Sequence, residues 1–420
     1  MNETASADNR LHYAWYVLVT ATLVVFGSLG LARFGYTMVL PAMQAGLGLD
    51  NAQAGGLATA NLVGYLGLSL VGGALAARFG PRRVIAAGLA VAGAALVLTS
   101  LAQSFAGAAV WRLLAGVGSG ASNVPVMGLM AAWFVRRRRG LAAGVAVTGS
   151  SFALILLGPL VPRVLASAGA DGWRLCWTGY GVAVLALAAL ALAVLRNSPA
   201  DVGRSPLGGE PEPIGGGADQ PLRWGQVYRS VPMWILGAVY VAFGFSYIIY
   251  VTFFTKYLVA EGGYTPAAAG RLFMTVGWCS LACGLIWGWV SDTIGRKGAL
   301  CIVYLIQTAS YLLFALWPVP VGFALSAVLF GLTAWSIPAI VAACCGDLLG
   351  PRLAPAGLGF ATLFFGIGQA AGPFVAGLVA DATQSLAPAL LLAAGIALSG
   401  AVGSLLLRAR PAETPITPGK

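Results

Sequence analysis

Apolar residues along this chain gather into twelve long blocks, and nearly every charge falls in the intervals between them. The blocks run over 14–40, 54–76, 84–101, 107–134, 140–167 and 173–195, then over 233–257, 267–289, 299–318, 321–345, 356–380 and 387–407. A helix needs roughly 20 apolar residues to cross the hydrocarbon core of a bilayer, so each block predicts one spanning helix. The first block is too long, and followed by too many others, to be a cleaved signal peptide.

Composition removes the alternative of a soluble domain. Hydrophobic residues make up 59% of the chain, charged residues 9%, and the mean hydropathy is +0.86. So few polar groups cannot cover that much apolar surface in water. Glycine accounts for 58 of 420 residues, and small residues are what let helices pack closely in lipid.

The net charge of +11 is a topology signal rather than a nucleic-acid footprint. With the amino terminus inside, Arg10, Arg78, Arg82, Arg83, Arg136 to Arg139, Arg196, Arg204, Arg223, Arg229, Arg296, Lys297, Arg352, Arg408, Arg410 and Lys420 all fall on the cytoplasmic side, 18 of the 24 Lys and Arg. Only Arg33, Arg112, Arg163, Arg174, Lys256 and Arg271 do not. Cytoplasmic loops carry such an excess, so both termini are expected inside. The six cysteines sit in or beside spans without metal-ligand spacing and read as small packing residues. The one histidine, His12, lies at a membrane edge. Nothing in the pattern calls for a metal, a cofactor or an enzymatic centre.

The stretch 196–231 is rich in Pro, Gly and charge and reads as a flexible cytoplasmic linker between an amino-terminal six-helix bundle, 1–195, and a carboxy-terminal one, 232–420. The halves share landmarks. Gly80 and Gly295 are 215 positions apart, Pro125 and Pro338 are 213 apart, and the Gly158-Pro159 pair recurs 214 positions on at Gly372-Pro373. One near-constant offset argues for an internal duplication. Two such halves around a midplane site are the layout of a secondary transporter.

The loop GWVSDTIGRK, from Gly288 to Lys297, resembles the signature of the major facilitator superfamily, and GALAARFGPRR, from Gly73 to Arg83, is a degraded copy of it. RLLAGVGSG from Arg112 and the glycine series ending at Gly158-Pro159 are similar to that superfamily's fourth- and fifth-helix motifs. The resemblance spans the chain. It implies an all-α membrane protein of twelve helices in two pseudo-symmetric bundles, working by alternating access around a cavity lined mainly by helices 1, 4, 7 and 10. It also implies gating at the loop residues Gly73, Gly80, Gly288, Asp292, Gly295 and Arg296. Glycines there would let two helices approach at a tight turn. Asp292 and Arg296 read either as a latch that favours the outward-facing state or as a solvated surface pair worth little. Ala77 and Pro81 replace the charged positions in the first copy, so the latch is expected on the second half alone.

All thirteen acids (Glu3, Asp8, Asp50, Asp171, Asp201, Glu210, Glu212, Asp219, Glu261, Asp292, Asp347, Asp381 and Glu413) fall in tails, loops or span ends, whereas Arg33 and Arg112 lie within spans. A mid-membrane arginine costs about 2.5–3.5 kcal/mol on insertion scales, so it is expected to face a cavity or partners. Helical spacing groups Phe26, Gly30, Arg33 and Thr37 on one face of span 1, and Arg112, Gly116, Ser119 and Asn123 on one face of span 4. Both faces are expected to look into the centre. A guanidinium without a protein acid can grip a carboxylate through two hydrogen bonds. Tyr36, Asn61, Tyr65, Tyr240, Tyr247, Trp335 and Gln369 complete the candidate substrate site. Packing remains an alternative for Arg112 and the span 7 tyrosines, and reaching for the outer interface is one for Arg33.

Monocarboxylate-type carriers place an arginine deep in helix 8, and oxalate-type exchangers add a lysine in helix 11. Here Arg271 only begins span 8, and span 11 has no lysine. RFGYTMVLP, from Arg33 to Pro41, instead resembles a bacterial branch with an Arg-Phe-x-Tyr-Thr stretch. The expectation is a carrier of a small organic anion, functional as a monomer in a bacterial inner membrane, with the lipid bilayer around it. An exporter of neutral or lipophilic compounds is the alternative, and a sensor on a carrier scaffold a more distant one.

Overall fold

A computed structural model describes residues 11–209 and 225–407. Arg10, Arg223, Arg408, Arg410, Lys420, Glu3, Asp8, Glu210, Glu212, Asp219 and Glu413 lie outside the described residues, as does the middle of the linker. Eleven continuous stretches are long and apolar enough to cross a membrane. One of them, 137–194, holds two helices broken at Gly169, where φ is +57°. Among the described residues that makes twelve helices: α1 Ala14–Leu47, α2 Asn51–Phe79, α3 Pro81–Ser100, α4 Phe105–Trp133, α5 Arg136–Ala168, α6 Gly172–Val194, α7 Val231–Ala260, α8 Pro266–Ile294, α9 Arg296–Leu316, α10 Pro320–Gly350, α11 Leu353–Thr383 and α12 Ala387–Leu405.

Their ends follow from local chemistry. Asp50 and Gln53 form a capping box that starts α2, with the Gln53 amide donating to Asp50 Oδ1 at 2.6 Å. Thr265 and Ser104 cap α8 and α4 in the simpler way. Gly80 and Gly295 both turn at φ +85°, a conformation that favours glycine, and each opens the next helix. The first span does not end at 40 as expected; it continues through Pro41 to Leu47 and stops at left-handed Gly48.

The duplication extends to packing. α1 pairs with α5, α2 with α4 and α3 with α6; α7 pairs with α11, α8 with α10 and α9 with α12. The halves meet along α2 with α11, α5 with α8, and the end of α1 with α7. These contacts run from the face opposite the linker to mid-membrane. Asp381, Lys256 and Thr59 make them at the far face, and Leu66 against Gly366, Ser280 on Ser151 and Trp335 on Ser151 make them midway. On the linker face Gly73, Gly144, Gly288 and Gly359 have open space beside them.

The linker departs from expectation where it is described. Trp133 Nε1 donates to Arg196 O at 3.1 Å, the Leu207 amide donates to Trp133 O at 2.8 Å, and Pro199–Val202 forms a short capped helix. Backbone pairing ties this part to the end of α4, so 196–209 is docked rather than free.

Candidate functional site

Nine residues of α1, Phe26–Phe34, form a π-helix. Its i→i+5 bonding widens each turn, so the 3.6-residue spacing that grouped Phe26, Gly30, Arg33 and Thr37 no longer holds. Gly30 packs against Ala153 of α5 instead of facing the centre, while Arg33 and Thr37 line one small cavity. On α4, Gly116 sits on the Asn61 backbone of α2, and Ser119 donates to Ala115 O at 2.8 Å.

The two arginines have different surroundings. Arg112 is 1% exposed. Its Nη1 donates to Ala32 O at 2.7 Å, and its guanidinium lies 4.9 Å from the ring centroids of both Tyr36 and Trp177. Carbonyl and rings from α1 and α6 hold it in place, and it also lines the small cavity beside Arg33. Tyr36 and Asn61 belong to the same framework. The Tyr36 hydroxyl donates to Ala54 O at 2.6 Å, and Asn61 Nδ2 donates to Arg112 O at 3.1 Å.

Arg33 is 9% exposed, and its Nε and Nη2 are buried without a hydrogen-bond partner. Its guanidinium lies 4.2 Å from the Tyr65 ring centroid. Tyr65 is in turn anchored by Asn123 Nδ2, which donates to its hydroxyl at 3.0 Å. From the second half Tyr247 meets the guanidinium, and Gln369 donates to the Tyr247 hydroxyl. Arg33, Tyr65, Asn123, Tyr247 and Gln369 thus come together as one cluster across the halves.

The described acids (Asp50, Asp171, Asp201, Glu261, Asp292, Asp347 and Asp381) all lie at or near helix ends. The cavity beside Arg33, lined also by Arg112, Thr37, Ile248 and Thr252, is about 10 Å³, near the minimum that holds one water.

Trp335 stands where α10 breaks, between Thr333 and Ser336. It packs on Phe34 of α1 at 5.3 Å between ring centroids, and its indole N–H donates to Ser151 of α5 at 3.2 Å. Tyr240 is buried and stacked on Phe365 at 4.6 Å, outside the lining of the small cavity.

The loop residues form no close approach between the halves. Arg296 pairs with Asp292, donates from Nε to Asp347 Oδ2 at 3.1 Å and from Nη1 to Ser291 Oγ at 2.5 Å, all within the second half. Gly73, Gly288 and Gly295 have nothing beside them, and Gly80 sits by Asn197. Gly80 and Gly295 do make the tight turns between α2 and α3 and between α8 and α9, at φ +85° in each.

Contacts that sequence reading passed over lie at the far face. Asp381 of α11 accepts from the Asn51 and Ala52 amides of α2, at 3.0 and 2.7 Å, and Lys256 donates to Asn51 Oδ1. Lys256 is therefore a contact between the halves. No signal in the sequence marked Asp381 apart from its charge at a span end.

Twelve spans in two repeated bundles, meeting around buried arginines, define a secondary-transporter scaffold. The chain belongs to the major facilitator superfamily: the model of the family described as "Uncharacterised MFS-type transporter YbfB" matches residues 25–405. The family is one of transporters, not enzymes. The chain is 26% identical over 409 residues to the probable sulfoacetate transporter SauU of Cupriavidus necator, covering 89% of each. It is 24% identical over 370 residues to the 3-(3-hydroxy-phenyl)propionate transporter of Escherichia coli, covering 87% of this chain and 88% of that one. Among solved structures it is similar in fold to a bacterial homologue of the human lysosomal transporter Spinster in an inward-facing, unoccupied conformation. That match has a TM-score of 0.76 at 17% identity and covers 96% of this chain and 100% of the other.

Proposed function

We propose that this protein carries a small carboxylate-like organic anion across the bacterial inner membrane by alternating access, with Arg33 receiving the charge. One observation carries the reading: Nε and Nη2 of Arg33 are buried and unpaired. These two nitrogens form the side edge of the guanidinium, whose parallel N–H groups match the two oxygens of a carboxylate. Every described acid lies at or near a helix end, so among the described residues no carboxylate meets Arg33. The relatives named for sulfoacetate and for 3-(3-hydroxy-phenyl)propionate, both organic anions, support the same class.

In this reading the halves 1–195 and 232–420 rock as bodies joined by 196–231, and the molecule functions as a monomer. The present arrangement, packed at the far face and parted at the linker face, corresponds to one end of the cycle. Arg78, Arg82, Arg83, Arg137 to Arg139, Arg196, Arg204, Arg229, Arg296 and Lys297 are on the linker face, which supports a cytoplasmic assignment for it. Tyr247 swings off Arg33 to admit the ligand. The Asp292–Arg296 latch belongs to the opposite state, when the linker face closes.

The test is thermal stabilisation of the purified protein by a panel of carboxylates, sulfonates, neutral solutes and lipophilic cations, since a bound ligand raises the melting point. Small anions are expected to stabilise the wild type and not Arg33→Ala. Stabilisation by neutral or lipophilic compounds alone would return the reading to an exporter.

A further inference from the structure

We propose that the anion taken at Arg33 is an aromatic monocarboxylate, with one charge and a flat apolar body; the inference rests on the anion reading above and narrows it. Two independent features lead to it, one a matter of charge and the other of shape.

Charge comes first. Among the described residues Arg33 alone has two adjacent guanidinium N–H groups buried and unpaired. Arg112, close by, has Nη1 on Ala32 O and its guanidinium within 4.9 Å of the Tyr36 and Trp177 rings. Lys256 is engaged by Asn51 at the far face. A second acid group on the same small ligand would reach only Arg112, whose one unpaired nitrogen, Nε, offers a single hydrogen bond in place of the two-pronged grip at Arg33. An ion buried without a partner is strongly disfavoured. The site therefore offers one two-pronged grip, which suits one carboxylate.

Shape comes from the rings around that charge, contributed by both halves. Tyr65 lies under the guanidinium at 4.2 Å. Phe34, the neighbour of Arg33 in sequence, packs on Trp335 across the halves. Tyr247, which meets Arg33, begins a near-parallel column: Tyr247 with Phe243 at 4.6 Å and 16°, and Tyr240 with Phe365 at 4.6 Å and 17°. Tyr65, Trp335 and Phe365 are only partly buried although they sit midway along their helices between the halves, so each keeps ring surface uncovered. Flat uncovered rings at mid-membrane favour a flat partner that stacks on them. A short aliphatic acid satisfies Arg33 and leaves these surfaces unfilled.

The experiment titrates the purified full-length protein with benzoate, 3-phenylpropionate, propionate, oxalate and sulfoacetate, reading Kd by calorimetry. The aromatic acids are expected to bind about tenfold more tightly than propionate, and oxalate and sulfoacetate no more tightly than propionate. Trp335→Ala is expected to abolish the aromatic preference, read as the ratio of benzoate to propionate affinity, and Trp335→Phe to keep most of it. The wild-type ratios decide the matter even if Trp335→Ala fails to fold. Equal affinity for benzoate and propionate, or tighter binding of oxalate or sulfoacetate that Arg33→Ala abolishes, overturns the aromatic inference and leaves the anion reading intact. Absence of acid binding, or binding that Arg33→Ala does not touch, overturns both.

Discussion

The carboxylate of Asp381, at the end of α11, accepts hydrogen bonds from the backbone amides of Asn51 and Ala52, the first two residues of α2 in the other half. Those amides have no partner within their own helix, and they carry the positive end of its dipole. One acid thus fastens the far face by capping a helix it does not belong to. Hydrogen bonds to a charged group are worth about 1.5–3 kcal/mol. Asp381→Asn is expected to speed hydrogen exchange at Asn51 and Ala52 by roughly ten- to thirtyfold, about 1.4–2 kcal/mol. Unchanged exchange would remove Asp381 from the closure of this face.

Arg33 and Arg112 should separate cleanly in their effects. Arg112→Met leaves Ala32 O without its donor and removes two ring contacts, a loss of about 2 kcal/mol in stability. Its anion affinity, measured at a temperature where the variant is folded, should stay within about threefold of wild type. Arg33→Ala should behave in the opposite way. It keeps the melting point of the free protein and loses the roughly 2.7 kcal/mol of stabilisation that ligand at a hundred times Kd provides.

A methyl group at Gly116 would run into the backbone of Asn61 and Tyr65, whereas one at Gly128 on the same helix meets nothing. Gly116→Ala is therefore expected to cost about 1–3 kcal/mol by overpacking. Because it pushes on the turn that carries Tyr65, it should also weaken anion binding. Gly128→Ala should change neither melting point nor affinity, and comparing the two by thermal unfolding checks the α2–α4 contact.

Asp292→Asn should be nearly silent in the state described. Arg296 keeps Asp347 and Ser291 as partners, and the Asp292 side chain is 66% exposed. Exposed pairs contribute about 0–1 kcal/mol. A melting-point loss beyond about 1 kcal/mol would mean that the pair already holds the linker face together.

Reading the sequence recovered the spans well because lipid imposes one rule on all of them: a helix satisfies its own backbone, and roughly 20 apolar residues are needed to cross. It recovered the pairing of Gly80 with Gly295 because both serve the same left-handed turn, at φ +85° in each case. It misjudged the spacing within α1. The π-helical stretch from Phe26 to Phe34 changes the period on which its face assignment rests, and Gly30 packs against Ala153 of α5. Asp381 was legible only as an acid at a span end, since its partners lie 330 and 329 positions away.

By itself the sequence determined that this chain spans a membrane twelve times in two related halves, and that it carries more buried positive charge than its own acids can meet. Hydropathy, loop charge and a repeated offset are local or periodic properties, readable along a line. Which arginine stays unpaired was a tertiary decision. Arg112 is held by a carbonyl of α1 and rings of α1 and α6, and Arg33 is left with a free edge. Those groups meet only when helices distant in sequence pack together, and hydrogen bonds and ring contacts depend on that geometry rather than on the order of the residues.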